Sequence, residues 1–150
     1  MQVKKIMTKK VIFVKPSNKV VEVADLLTAH RIHGVPVVDK GKVVGIITET
    51  DFFVKDVPNL FIPSYIDFLK QSKFAHKVSK KKKQEMDKLL DAKAEDIMTK
   101  NCFTVRENME VSELIKIFKE KKLFTFPVVN KAQKIVGVIT QADIIKLIKI

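Results

Sequence analysis

The chain repeats itself once, and this duplication constrains the fold more than any other feature of the sequence. Ile6-Met7-Thr8-Lys9 returns 91 residues later as Ile97-Met98-Thr99-Lys100. Pro36-Val37-Val38 returns at the same offset as Pro127-Val128-Val129. Because repeated units fold alike, the two copies are expected to form similar halves. We divide the chain into a first copy (1–54), a lysine-rich helical spacer (55–93) and a second copy (94–150) of one module.

A third repeated motif, Gly-x-x-Thr-x-x-Asp, occupies residues 45–51 and 137–143, at an offset of 92. Apolar, mostly β-branched residues followed by threonine and aspartate predict a buried strand, a tight turn and a helix start. The threonine and aspartate could simply cap that helix. They could also offer a hydroxyl and a carboxylate to a ligand, beside a helix end that attracts anions. Repetition of the motif favours the second interpretation.

Each copy is predicted to fold as β-α-β-β-α, which gives an α+β fold. Apolar residues at helical spacing, Val20, Val23, Ala24 and Leu27, recur as Val111, Leu114, Ile115 and Phe118. The predicted elements of the first copy are a strand at 11–14, a helix capped by Ser17 or Asn18 and ending near Arg31, a hairpin of 35–38 with 43–47 turning at Gly41, and a helix from Thr48. Asn108 is the corresponding cap in the second copy. Since each half alone would have only a marginal core, we expect the halves to pack on each other.

The spacer has no counterpart in the repeat. Pro58 and Pro63 exclude a long helix, and Ser64 could cap a helix over residues 65–74. Residues 80–83 are four lysines, expected to form a solvated loop before a helix carrying Met86, Leu89 and Leu90. A phosphate- or nucleic-acid-binding loop is the alternative, but it would lack interleaved aromatic residues.

Charge and cysteine content narrow the function classes. The net charge is +12, yet only Arg31 and Arg106 of the 29 basic residues are arginine. Because arginine dominates base and bidentate phosphate contacts, specific nucleic-acid binding is not expected, only weak attraction to polyanions. No apolar run is long enough to cross a bilayer. The lone Cys102 cannot form an internal disulfide, which favours a cytoplasmic protein.

Catalysis is not expected either. The sequence has three histidines (His30, His33 and His76), no glycine-rich phosphate loop and no metal-ligand cluster. Neither Thr48 nor Asp51 has an adjacent base that could activate a nucleophile. We therefore predict a non-catalytic protein without a metal or a catalytic cofactor.

With these motifs in order twice, the chain resembles a tandem pair of CBS (cystathionine β-synthase) domains, also called a Bateman module. The resemblance covers nearly everything except the spacer. It implies two motifs packed about a pseudo-twofold axis with two clefts between them, commonly assembled into homodimers. It also implies a regulatory module that binds AMP, ADP, ATP or S-adenosylmethionine and controls a partner protein whose identity the sequence does not give.

The resemblance also implies residue roles. Asp51 and Asp143 would hold ribose hydroxyls, Thr48 and Thr140 would meet phosphate, and residues just before Pro36 and Pro127 would line the base pocket. The complete implied ligand-binding set is Thr8, Val11, Ile12, His33, Gly34, Val35, Pro36, Thr48, Asp51, Thr99, Phe103, Phe124, Thr125, Phe126, Thr140 and Asp143.

The two copies differ where a base would bind. Phe124 and Phe126 could stack on a base, or they could fill the cleft and leave one working site, since the first copy has His33 and Val35 there. Ala142 replaces Thr50, which predicts a weaker second phosphate site. Two other functions stay open: an interaction scaffold with vestigial clefts, and a basic protein associated with DNA or RNA.

Overall fold

The computed structural model describes residues 1–53 and 91–148. The predictions for Pro58, Pro63, the helix at 65–74, the lysines at 80–83 and the helix with Met86, Leu89 and Leu90 lie outside the described residues. The described helices and strands are α1 (Val20–His30), β1 (Gly34–Asp39), β2 (Lys42–Thr48), a 3-10 helix (Glu49–Phe52), α2 (Ala94–Ile97), β3 (Thr99–Lys100), β4 (Val105–Arg106), α3 (Val111–Lys121), β5 (Thr125–Val129), β6 (Ile135–Thr140) and α4 (Gln141–Ile145). Two further 3-10 helices span Val3–Lys5 and Lys146–Ile148.

Two three-stranded sheets, ordered β1-β2-β3 and β4-β5-β6, form the centre of the molecule. The predicted hairpins are present, since β1 pairs antiparallel with β2 and β5 with β6. Lys40 and Gly41 turn the first hairpin with φ of 51° and 80°, the positive values that a two-residue hairpin turn favours. The predicted α+β class with two similar halves is confirmed.

The strand predicted at residues 11–14 is reduced to a single parallel bridge between Val14 and Val37. The Val14 N–H donates to the Pro36 carbonyl at 3.0 Å, and the Val14 carbonyl accepts from Val38 at 2.8 Å. Beyond Val14 the chain bends at once, because the Asn18 side chain accepts the Lys15 N–H at 2.7 Å. This turn ends the pairing.

Helix α1 begins one to two residues later than predicted, with Lys19 rather than Ser17 or Asn18 in the cap position. Asn18 instead closes the preceding turn and donates from its amide to Glu22 at 2.8 Å. Glu110, and not the predicted Asn108, likewise occupies the cap position of α3. The apolar stripes predicted for α1 and α3 face the cores. The buried residues of these stripes are Val20, Val23, Ala24, Leu27, Val111, Leu114 and Phe118. Ile115 is half-buried.

The lead-in to each repeat packs on the half formed by the other repeat. Met1 to Thr8 runs along the second half: Val3 donates to the Met109 carbonyl at 2.9 Å and is fully buried in the second core. Thr8 and Val138 of β6 exchange hydrogen bonds of 2.9 and 3.0 Å. This segment therefore forms part of the second half although it opens the first repeat.

The second lead-in makes the reciprocal contacts. Strand β3 pairs with β2 of the first sheet. The Ala94 N–H donates to the Asn18 carbonyl at 2.7 Å, and Ala94 is fully buried in the first core. Each structural half thus contains sequence from both repeats, and the exchange ties the halves together.

The exchange explains why two of the repeated motifs occur together. Met98 lies over Gly45 and Met7 lies over Gly137. A Cβ at Gly45 would sit 2.7 Å from the Met98 sulfur, and one at Gly137 would sit 2.5 Å from the Met7 sulfur. Only glycine leaves room for a methionine at these positions. The Ile-Met-Thr motif of each repeat therefore packs on the Gly-x-x-Thr-x-x-Asp motif of the other.

Candidate ligand-binding corners

The first corner is the junction of β2 and the 3-10 helix, residues Thr48 to Asp51. The Asp51 Oδ2 atom accepts the Thr48 N–H at 2.8 Å and lies 3.4 Å from the Thr48 hydroxyl. That hydroxyl is 2.9 Å from the hydroxyl of Thr50. Asp51 is half-buried, and its Oδ1 atom makes no hydrogen bond to the residues that the structure describes. The carboxylate caps the helix with one oxygen and leaves the other available.

The second corner, Thr140 to Asp143, has the same geometry but is more enclosed. Asp143 Oδ2 accepts the Thr140 N–H at 2.8 Å and the Thr140 hydroxyl at 3.0 Å. Its Oδ1 atom lies 3.7 Å from the Lys146 ammonium group, and the residue is only 7% exposed. Both carboxylate oxygens of Asp143 therefore have partners within the protein.

The two corners meet where the halves join. Gly34 at the start of β1 lies opposite Thr48, and Thr125 at the start of β5 lies opposite Thr140. A Cβ at Gly34 would sit 3.5 Å from the Thr48 methyl carbon and 3.8 Å from the Thr125 Cβ. Four predicted site residues, Gly34, Thr48, Thr125 and Thr140, thus lie close to one another at the junction.

The residue that directly precedes each of β1 and β5 is hydrogen-bonded to the corner of the same half. The His33 carbonyl accepts the Glu49 N–H at 3.3 Å, and the Phe124 carbonyl accepts the Gln141 N–H at 3.3 Å. His33 also forms an ion pair with Glu49, with Nδ1 and Oε1 2.8 Å apart. The side chains of His33 and Phe124 are 75% and 66% exposed, so both are accessible beside their corners.

Two side chains of the predicted set point into the cores instead. Phe126 is 0% exposed and packs against Phe118, with ring centroids 4.8 Å apart. Val35 is also fully buried. The sequence allowed Phe126 either to stack on a base or to fill space between the elements. Its full burial favours the second role, because alternation along β5 turns its ring toward the second core. Phe103 packs edge-on against Phe126 at 5.7 Å and lies at the margin of that core.

The remaining predicted residues make contacts elsewhere on the sheets and in the first core. Thr8 and Thr99 are exposed on sheet edges, beside Val138 and Ile46 respectively, each on the half formed by the other repeat. Ile12 packs against the first core, Val11 is half-buried, and Pro36 is buried within β1. No hydrogen bond or ion pair among the described residues joins them to the Thr-Asp pairs.

A cavity of about 330 Å³ opens beside the first corner, on its α1 side. It is lined by Ala24, Leu27, Thr28, Arg31, Ile32, His33, Glu49 and Phe52. Of the predicted ligand-binding residues it contains only His33. The sequence interpretation missed Glu49, although its place directly after Thr48 in the motif was a usable signal.

Other chemistry in the described parts of the chain is limited. Burial raises the pKa of the Cys102 thiol, although a backbone hydrogen bond partly offsets this. Residues 1–53 and 91–148 contain no group of three or more histidine, cysteine, aspartate or glutamate residues placed to hold a metal ion. None of the described helices has the length and apolar character needed to cross a membrane.

Comparison with known proteins identifies the repeated unit. The family model described as CBS domain matches residues 3–56 and 94–150. The uncharacterized protein MJ1426 of Methanocaldococcus jannaschii is 31% identical over 153 residues, which cover 97% of this chain and 90% of that protein. Inosine-5'-monophosphate dehydrogenase of Aquifex aeolicus is 32% identical over 135 residues, but these cover only 21% of that enzyme.

One solved structure is informative about ligands. The CBS domain pair of protein MJ0100 has a TM-score of 0.68 and 28% identity, with 99% of each chain covered. That protein was solved in complex with 5'-methylthioadenosine and S-adenosyl-L-methionine. Both molecules contain the same adenine and sugar. They differ from each other only in the substituent at the 5' carbon.

Proposed function

This chain belongs to the CBS domain family as a tandem pair of CBS motifs, and we propose that it is a non-catalytic regulatory module that binds an adenosine-containing ligand where its two halves meet. The ligand would be AMP, ADP, ATP or S-adenosylmethionine, or a close analogue of one of them. The match to inosine-5'-monophosphate dehydrogenase covers about a fifth of that enzyme and carries no catalytic activity to this chain.

The observation that carries the proposal is the meeting of two Thr-Asp corners at the junction of the halves. Ribose presents two adjacent hydroxyl donors, and a carboxylate with an available oxygen can accept from them. Asp51 has such an oxygen in Oδ1, and it is held in place by the bonds of Oδ2 to Thr48. Hydrogen bonds to a charged group contribute about 1.5–3 kcal/mol each, enough to fix the sugar.

The threonine hydroxyls fit a phosphate less directly. Thr140 already donates its proton to Asp143 at 3.0 Å, so it would have to rotate before donating to a ligand. The Thr48 hydroxyl has two alternative partners, because it can donate to or accept from the Thr50 hydroxyl, or donate to Asp51. This geometry favours Thr48 as the more readily available donor.

Regulation would follow from the position of the ligand. Each ligand would bridge the two halves and so bind best in one arrangement of them, and such differential affinity shifts the populations of arrangements. We include in the proposal assembly into a homodimer, a cytoplasmic location and transmission of the ligand signal to a partner protein. Scattering curves measured with and without saturating ligand would test the change in shape, and identical curves would contradict it.

A thermal-shift screen tests the binding proposal. The protein is heated with AMP, ADP, ATP, 5'-methylthioadenosine or S-adenosylmethionine. A ligand present at a hundred times its Kd stabilises the folded state by about 2.7 kcal/mol, which raises Tm by roughly 5–10 °C for a chain of this size. Asp51→Ala should reduce the shift, while Asp25→Ala, an exposed aspartate on α1, should leave it unchanged.

A second candidate function is an interaction scaffold that binds no nucleotide. It is favoured by the engagement of both Asp143 oxygens within the protein. Absence of a shift with every adenosine ligand would support the scaffold. A response to duplex or single-stranded DNA that disappears in modest salt would reflect only nonspecific charge attraction.

A further inference from the structure

The two corners differ in charge although their backbones are alike. Glu49, the residue after Thr48, is replaced by the neutral Gln141 in the second corner. The Lys146 ammonium group lies 3.7 Å from Asp143 Oδ1. Val54 stands at the corresponding sequence position of the first copy. Among the residues that the structure describes, the second corner thus has one carboxylate fewer and one ammonium group more than the first.

The other charged residues near the corners within 1–53 and 91–148 do not cancel this difference. Arg31 and Lys122 occupy equivalent places, since each ends its helix in a left-handed conformation with φ of 51°. His33 can offset the charge of Glu49 only when its ring is protonated, and its counterpart Phe124 carries no charge. Counted over the described part of the chain, the first corner is therefore the more negative of the two at neutral pH.

We infer that the two corners select adenosine ligands by charge, an inference that rests on the proposed function. The second corner favours a ligand whose 5' substituent is anionic, such as a nucleoside monophosphate. The first corner favours a ligand whose 5' substituent is neutral or cationic, such as a thioether or a sulfonium. Glu49 repels a phosphate and Lys146 attracts one, whereas the carboxylates of Asp51 and Asp143 are common to both corners.

The position of Lys146 supports this division. Its ammonium group pairs with Asp143 at 3.7 Å, but the side chain is 73% exposed, so the ammonium group remains accessible to an anionic substituent. The first corner has the open carboxylate oxygen and the adjacent cavity, to which Glu49 contributes. This selection reverses the simpler expectation from Ala142 that the second corner is only a weaker copy of the first.

The test compares two probes that share the same nucleoside and differ in charge, AMP and 5'-methylthioadenosine. Each corner is measured alone by titration calorimetry, the second in an Asp51→Ala background and the first in an Asp143→Asn background. The ratio of the AMP affinity to the 5'-methylthioadenosine affinity is the readout, because general damage to a corner affects both probes.

In the second corner, Gln141→Glu or Lys146→Ala should lower this ratio by about three- to tenfold, the effect of one charge at surface dielectric. In the first corner, Glu49→Gln should raise the ratio by a similar factor. These changes should shrink at high salt, because ions screen exposed charges. Lys146 is 73% exposed, so its substitution keeps the test valid if Gln141→Glu fails to fold.

The outcomes separate the inference from the proposed function. Ratios that stay within twofold of the parent in all three variants, with both probes still binding, would overturn charge selection alone. A first corner that prefers AMP more strongly than the second does would also overturn it. Failure of the parent protein to bind AMP and 5'-methylthioadenosine would overturn the inference, and failure to bind ADP, ATP and S-adenosylmethionine as well would overturn the proposed function.

Discussion

Each lead-in packs on the half formed by the other repeat. This packing predicts that substitution by alanine changes the stability of the protein differently at different glycines. Gly45 lies beneath Met98, and a Cβ there would sit 2.7 and 2.9 Å from the Met98 sulfur and Cγ and 2.9 Å from the Thr99 carbonyl oxygen. The side chain could move aside, but the carbonyl belongs to β3, which pairs with β2 at this residue. Gly45→Ala should therefore displace the second lead-in from the first sheet.

The size of the effect follows from these distances. Overpacking that forces backbone to shift costs about 1–3 kcal/mol. Taking about 2 kcal/mol, Tm should fall by about 4–8 °C for a chain of this length. Gly137→Ala should behave alike, since its Cβ would meet the Met7 sulfur at 2.5 Å and the Thr8 carbonyl oxygen at 3.0 Å.

Gly34→Ala provides the matched control. The nearest atoms to its added Cβ lie at 3.5 to 3.8 Å, which is ordinary contact. Its backbone is not left-handed, so alanine should be neutral or stabilise the fold by up to about 1 kcal/mol through the unfolded chain. The same substitution should thus have opposite effects at Gly34 and Gly45.

Urea unfolding followed by circular dichroism measures these free energies. Combining Gly45→Ala with Met98→Ala should cost less than the sum of the single changes, since the clash needs both side chains. Full stability of both Gly45→Ala and Gly137→Ala would refute the exchanged packing. Strict additivity of Gly45→Ala and Met98→Ala would show that Met98 does not lie over Gly45.

Two further predictions concern buried groups. Phe126→Ala should lower the free energy of unfolding in urea by about 3–5 kcal/mol, because the ring fills the second core. Phe124→Ala, at an exposed position, should change it by less than about 0.5 kcal/mol. Equal effects of the two substitutions would contradict the burial of Phe126. Burial raises the pKa of the Cys102 thiol, so the reactive thiolate forms only at higher pH than in a free cysteine. Alkylation by iodoacetamide should therefore be slower than for a free thiol at pH 8, and an equal rate would contradict this.

The duplication made the fold predictable from the sequence. Two copies of the same apolar spacing and hairpin motif require two similar halves, and each half alone lacks a sufficient core. The exchange of lead-ins could not be predicted, because repeated sheets offer equivalent edges to either lead-in. One signal was present in Gly45 and Gly137, whose missing side chains match the methionines at positions 98 and 7.

The site was predictable in part for a similar reason. Threonine and aspartate at fixed spacing after a strand must share one turn, so both Thr-Asp pairs could be placed from the motif. For Phe126 the sequence left both base stacking and filling of the cleft open, and its burial with Val128 on the core side of β5 favours a packing role. The charge difference between Glu49 and Gln141 is plain in the sequence, but its meaning required the structure of both corners.

Titration calorimetry of the parent protein and of the Asp51→Ala, Asp143→Ala double variant tests ligand binding at the corners most directly. The parent should bind at least one of 5'-methylthioadenosine, S-adenosylmethionine and the adenine nucleotides. The folded double variant should bind that ligand at least about tenfold more weakly, the loss of roughly 1.4 kcal/mol. Equal affinity of parent and double variant would show that the corners do not hold the sugar.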